Sequence, residues 1–187
     1  EKLGVNYVLF SHLTLVGMGV ETETSTPEDW QAGADLVSQA RDAGQIRSFY
    51  EANYINALNS GDVALSMAWS GDIFQSNLEG SAEGLQFTIP TEGGVIWTDN
   101  MCIPNGAENP VDAITYMDYV YKPEIQALIE DYVNYICPVP ASQDIIINDL
   151  KDPDVGNSPL VFPSAEDLSK THVYYTFKSP EEEQQWN

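Results

Sequence analysis

Basic residues are scarce in this chain: 7 Lys and Arg stand against 29 Asp and Glu in 187 residues, a formal net charge of −22. A polyanion of this kind is repelled by phosphate backbones and anionic headgroups over a Debye length, so nucleic-acid partners and membrane-surface attachment are set aside. Long apolar runs are missing as well. The longest uncharged stretch, Gly4 to Val20, carries Asn6, Ser11, His12 and Thr14, and it falls short of the roughly 20 apolar residues that a span needs. It reads as a buried helix with Leu9, Leu13, Val16 and Val20 at helical spacing, and no direct membrane insertion is expected. No basic n-region with a small-residue cleavage site is visible, and Glu1 opens the chain without an initiator Met, so the start reads as a trimmed or processed end.

Cysteine and histidine are equally sparse. Cys102 and Cys137 are too few for a four-thiolate metal site and do not form a Cys-x-x-Cys redox pair. Two readings stay open for them, buried bystander thiols or one disulfide in an exported protein. His12 and His172 stand alone, with no His-Glu-x-x-His or Ser/His/Asp setting, and both read as structural. No metal and no cofactor is expected.

What the chain does have is a core: 43% apolar residues and 11% aromatics, enough for one domain or two small lobes. Thr26-Pro27-Glu28-Asp29 marks a helix start, with a capping Thr, Pro at the first helical position and acids where the helix dipole favours them. That helix is expected to run to about Ala43 and stop at Gly44, with Trp30, Ala34 and Val37 on one face. Strands are expected at Val63–Trp69, Leu85–Ile89 and Val95–Thr98. After Pro104 the texture changes to two helices. One follows Asn109-Pro110 with Val111, Ile114, Met117 and Val120 inward, and one follows Lys122-Pro123 with Ile125, Leu128, Ile129, Tyr132 and Val133 inward. Pro-rich turns follow from Asp144, then short helices at about Ser164–Lys170 and Ser179–Asn187. Strands alternating with helices make the class α/β.

Two tryptophans end strands and are each followed by a carboxylate: Trp69-Ser70-Gly71-Asp72 and Trp97-Thr98-Asp99-Asn100. In open α/β sheets ligands sit beyond the carboxyl ends of strands. An indole face over an ammonium group is worth about 0.5–2 kcal/mol, and a carboxylate adds a charge-assisted hydrogen bond. Trp with Asp is therefore a receptor for an organic cation with a methylene body. The same residues also suit plainer roles, the indoles as core filling and Asp72 as a first-turn helix acid.

The run Gly61-Asp62-Val63-Ala64-Leu65-Ser66-Met67-Ala68-Trp69-Ser70-Gly71, then Ile89-Pro90-Thr91-Glu92-Gly93-Gly94-Val95-Ile96-Trp97-Thr98-Asp99-Asn100 and Ile103-Pro104, resembles the spermidine/putrescine-binding proteins of ABC importers. Asn109-Pro110 with Ala113-Ile114, Lys122-Pro123-Glu124, and Asn134-Tyr135 leading to Pro138 extend the likeness to Pro140. The resemblance implies a periplasmic-binding-protein type II-like fold: residues 1–98 as the second lobe, 99–143 as a hinge crossing and two-helix excursion into the first lobe, and 144–187 as the return. It also implies that the N-terminal lobe is absent. By the same likeness Trp69, Trp97 and Asp99 clamp the methylenes and an amine of a polyamine, and Tyr135 lines the cleft from the other lobe. Asp72 is a candidate partner for a second amine. Both cysteines fall in the excursion, which places a Cys102–Cys137 bridge within reach.

One departure bears on the ligand. Where the family carries acids near the start of the second lobe's first long helix, this chain reads Val5-Asn6-Tyr7-Val8-Leu9. The expected function is an extracytoplasmic solute receptor, in the periplasm or at the cell surface, that captures a small cationic amine and presents it to a membrane permease without chemistry. The rivals are a hydrolase using Asp72 and Asp99 as a carboxylate pair, and an acidic interaction domain without a small ligand. The negative charge fits either steering of cations or a solvated outer face.

Overall fold

A computed structural model describes residues 3–6, 10–80 and 84–186. In chain order the elements begin with β1 (Leu3–Asn6), α1 (Phe10–Gly17), α2 (Pro27–Asp42), β2 (Ile46–Tyr50), α3 (Tyr54–Asn59), β3 (Leu65–Ser66), α4 (Ser70–Leu78) and β4 (Gly94–Ile96). There follow α5 (Pro110–Val120), α6 (Pro123–Val133), α7 (Gln143–Ile145), which runs on as a π-helical turn over Ile146–Leu150, α8 (Pro153–Gly156), α9 (Ala165–Leu168), β5 (Thr171–Val173) and α10 (Pro180–Trp186). The chain divides into two compact units, Glu1–Trp97 with Asp167–Asn187, and Thr98–Glu166.

Among the described residues the first unit holds two parallel sheets. One has the order β2-β1-β3, and the other pairs β4 with β5. The helix expected over residues 4–20 is thus split into a strand and the shorter α1, with residues 7–9 outside the described set. Val5 is buried in the central strand, and an apolar run of this length does not by itself separate strand from helix. Gly4 permits close strand approach, since a Cβ there would lie 2.7 Å from Ser66 Oγ. The strand expected at Val63–Trp69 keeps only Leu65–Ser66. Leu85–Ile89 forms no strand, because the Asn77 side-chain amide takes both backbone groups of Leu85, donating to its carbonyl at 2.7 Å and accepting from its N–H at 3.1 Å. α2 starts as the sequence predicts: Thr26 Oγ1 accepts from the Asp29 N–H, and the Asp29 carboxylate accepts from the Thr26 N–H at 2.8 Å. It ends at Asp42 ahead of Gly44 at φ +71°.

The second unit is helical. α5 packs on α6, and α6 on the α7 segment, around the fully buried Ala127, Ile146, Val155 and Val161. A Cβ on Gly156 would lie 2.4 Å from Ile147 Cγ1, so only glycine lets α8 close onto the π-helical turn. Both long helices sit where their Asn-Pro and Lys-Pro starts place them, and the expected inward faces are covered only in part: Met117, Val120, Ile125, Ile129 and Val133 are half-buried. Val111, Ile114, Leu128 and Tyr132 stand 56–80% exposed, while α6 buries Gln126, Ala127 and Glu130. Gln126 Nε2 donates to Glu130 Oε1 at 2.7 Å, which satisfies one carboxylate oxygen and leaves Oε2 buried without a hydrogen-bond partner. Residues 144–166 group with the helical unit: α6 packs on the α7 segment there and α8 packs against the π-helical turn. The cysteines are not bridged. Cys102 is exposed, whereas Cys137 is enclosed in the unit's core with its thiol donating to Val139 O at 3.3 Å.

Candidate aromatic site

Trp69 is the N-cap of α4, in extended backbone (φ −80°, ψ 138°), three residues beyond β3. Its indole cannot cap the helix. The capping geometry instead comes from elsewhere in the chain: the Trp69 N–H donates to Tyr54 Oη at 3.0 Å, and the Tyr54 hydroxyl donates to Asp72 Oδ2. Asp72 is half-buried in the first turn of α4 and Tyr54 is wholly buried. Trp97 directly follows β4 and is 41% exposed. The two tryptophans therefore leave different sheets, yet their rings meet at 4.5 Å between centroids with planes 62° apart. Edge-to-face packing makes a corner of two indoles in place of two parallel plates.

That corner is extended by Tyr174, and by His12 and Trp30, which the sequence reading gave only structural places. Tyr174 stands edge-on to Trp97 at 6.1 Å, and His12 packs on Tyr174 at 4.2 Å and on Trp30 at 4.7 Å. The β4–β5 register pairs Ile96 with Val173, so the next residues, Trp97 and Tyr174, fall side by side; only knowledge of that pairing reveals it. His12 Nε2 accepts from the Tyr175 N–H at 3.2 Å, and burial pushes the imidazole down to about 4 from 6.5. Burial also lifts the Tyr174 phenol to about 12. Both rings are thus neutral near pH 7. His172 is placed otherwise, with Nδ1 3.2 Å from Glu21 Oε1.

Asp99 and Tyr135 belong to the helical unit. Asp99 is exposed, between Thr98 and Asn100, whose Nδ2 donates to Thr98 O at 2.8 Å. Tyr135 is 39% exposed and follows Asn134, whose left-handed backbone (φ 57°) ends α6. Among the described residues no group of three or more His, Cys, Asp or Glu could hold a metal ion, and no helix is long and apolar enough to cross a membrane.

Residues 6–162 match the family model of the bacterial extracellular solute-binding proteins. The chain belongs to this family. Its relatives include the putrescine-binding periplasmic protein SpuD of Pseudomonas aeruginosa, 26% identical over 161 residues (84% of this chain, 42% of the relative). The putrescine-binding periplasmic protein PotF of Escherichia coli is 29% identical over 158 residues (82% and 41%). The spermidine/putrescine-binding periplasmic protein of Salmonella typhimurium is 25% identical (84% and 43%). This solute-binding protein chain spans less than half the length of these relatives. Its fold matches a putative spermidine/putrescine ABC transporter from Listeria monocytogenes with a TM-score of 0.77 at 20% identity, over 99% of this chain and 54% of that one. The substrate-binding protein PotD of Streptococcus pneumoniae gives 0.76 at 20%, over 98% and 55%. The architecture is therefore the α/β fold of these binding proteins over about half their length.

Proposed function

We propose that this chain belongs to an extracytoplasmic receptor that captures a polyamine of the putrescine/spermidine class and delivers it to an ABC permease. In this reading the first unit is one lobe, the helical unit belongs to the other, and Asp99 and Tyr135 act from beyond the crossing after Trp97. The observation that carries the proposal is the pair of indoles meeting at 4.5 Å, one at the start of α4 and one just past β4, Trp97 partly open to solvent, in a chain whose relatives are named for putrescine and spermidine. Indole surfaces take the methylenes of such a ligand and the face of an exposed ring attracts an ammonium group. Asp99 supplies the carboxylate for a charge-assisted hydrogen bond, and Asp72 stands for a second amine.

Calorimetry on the full-length protein with putrescine, spermidine and the uncharged 1,4-butanediol tests this. Saturable binding of an amine and none of the diol is expected, and an amine at about 100 times its dissociation constant adds about 2.7 kcal/mol of stability. Binding of the diol as well as the amines, or of neither amine, overturns the assignment.

A further inference from the structure

We propose that Tyr54 is a positioning residue of the amine site, a role that rests on the function proposed above. The start of a helix leaves backbone N–H groups without partners inside the helix. The usual remedy is a side-chain acceptor at the N-cap and an acid three residues on that reaches back to the N-cap N–H. At α4 the N-cap is Trp69 and the acid is Asp72, so half of that arrangement is lost to a side chain that cannot accept. Tyr54 Oη stands between the two, accepting from the Trp69 N–H at 3.0 Å and donating to Asp72 Oδ2.

A phenol hydroxyl has one proton to give and lone pairs to receive with. Here both capacities join the backbone of one candidate ligand residue to the carboxylate of another. Tyr54 is itself 0% exposed on α3, so its ring cannot swing away without opening the core. Two consequences follow. The Trp69 backbone is held where the chain turns from strand to helix, which sets the direction in which the indole leaves. The Asp72 carboxylate stands one hydroxyl further from the helix end than in a direct capping box.

The test is Tyr54→Phe in the full-length protein, which removes one oxygen and keeps the buried ring. Putrescine and spermidine affinity is expected to fall three- to tenfold, and the Trp69 backbone amide to shift in ¹⁵N–¹H spectra. Because part of the effect passes through Asp72, adding Tyr54→Phe to Asp72→Ala should change affinity by less than twofold. A second comparison leaves Tyr54 intact: Asp72→Asn, which keeps an acceptor for the hydroxyl, should retain the Trp69 amide position, while Asp72→Ala should move it. Wild-type affinity in Tyr54→Phe, or an equal loss in both backgrounds, overturns the Tyr54 role alone. A wild-type protein that binds neither amine overturns the functional reading and this role with it.

Discussion

The two units place their aromatic side chains differently. In the first, Trp69, Trp97, Tyr174, His12 and Trp30 contact one another in sequence around two sheet ends. In the second, Tyr116, Tyr119, Tyr121 and Tyr132 face outward, and α6 turns Gln126 and Glu130 to its core. The lesson concerns what periodicity encodes. A 3.6-residue stripe identifies a helix, but which stripe is covered depends on what packs against it. In the helical unit α6 packs on the segments that follow it, and Gln126, Ala127 and Glu130 are its buried residues.

The comparison breaks first on stability. Leu15 is wholly buried in α1, so Leu15→Ala should cost about 2–5 kcal/mol in urea unfolding of this chain, through lost transfer energy and the cavity left behind. Tyr132→Ser, on the outward stripe of α6, should change stability by less than about 0.5 kcal/mol. Similar costs for the two would show that the outward stripe is packed after all.

Ligand binding sharpens the contrast next. Asp99 is exposed, and in the proposed site its carboxylate holds an amine. Asp99→Asn keeps the shape and removes the charge, so amine affinity should fall by about 1.5–3 kcal/mol, roughly ten- to a hundredfold in calorimetry. Unchanged affinity would remove Asp99 from the site.

How much of this was legible follows the range of the interactions. α2, α5 and α6 were readable because their starts are local chemistry: Thr26 with Asp29, and prolines 110 and 123 at first helical positions. The family likeness implied that the indoles of Trp69 and Trp97 would come together, but not that they would leave different sheets. Tyr54 was not readable either: its partners lie 15 and 18 residues away. β2 and β5 escaped because Ile46-Arg47-Ser48-Phe49-Tyr50 has no strict apolar–polar alternation and Thr171–Val173 is only three residues long. The Cys102–Cys137 bridge failed because the family likeness placed both residues in one segment without fixing where either side chain would lie.

A smaller effect separates the units by pH. His12, among Trp30, Tyr174 and Ser11, accepts from the Tyr175 N–H and is held neutral to about 4 against an ordinary 6.5. The unfolded chain therefore binds the proton first. The stability this imidazole gives is fully present above pH 6.5 and is lost as pH falls to about 4. For a half-buried ring the loss should be about 1–2 kcal/mol. His12→Gln keeps an acceptor for the Tyr175 N–H and should flatten that part of the stability profile relative to wild type. An identical profile would show that the ring is not held neutral.

The smallest effect lies in the helical unit and has the opposite sign. Glu130 is 4% exposed, its Oε1 accepts from Gln126, and its Oε2 is buried without a hydrogen-bond partner. Burial pushes its carboxyl above the ordinary 4.5, and the Gln126 hydrogen bond only partly offsets this. The folded chain thus keeps a proton that the unfolded chain has already released, so this group's contribution is present below pH 4.5 and is lost as pH rises through the folded value. Glu130→Gln fills the same volume and accepts the same hydrogen bond from Gln126 without a charge to desolvate. It should therefore be more stable than wild type at pH 7, by roughly 1 kcal/mol, and the advantage should shrink as pH falls toward 4.5. Thermal unfolding of both proteins across that range decides it. A Gln variant less stable than wild type at pH 7, with a gap that does not change in acid, would mean that the ionised carboxylate is stabilised where it lies. The inward polar face of α6 would then be a satisfied network and no longer the counterpart of the first unit's neutral aromatic cluster.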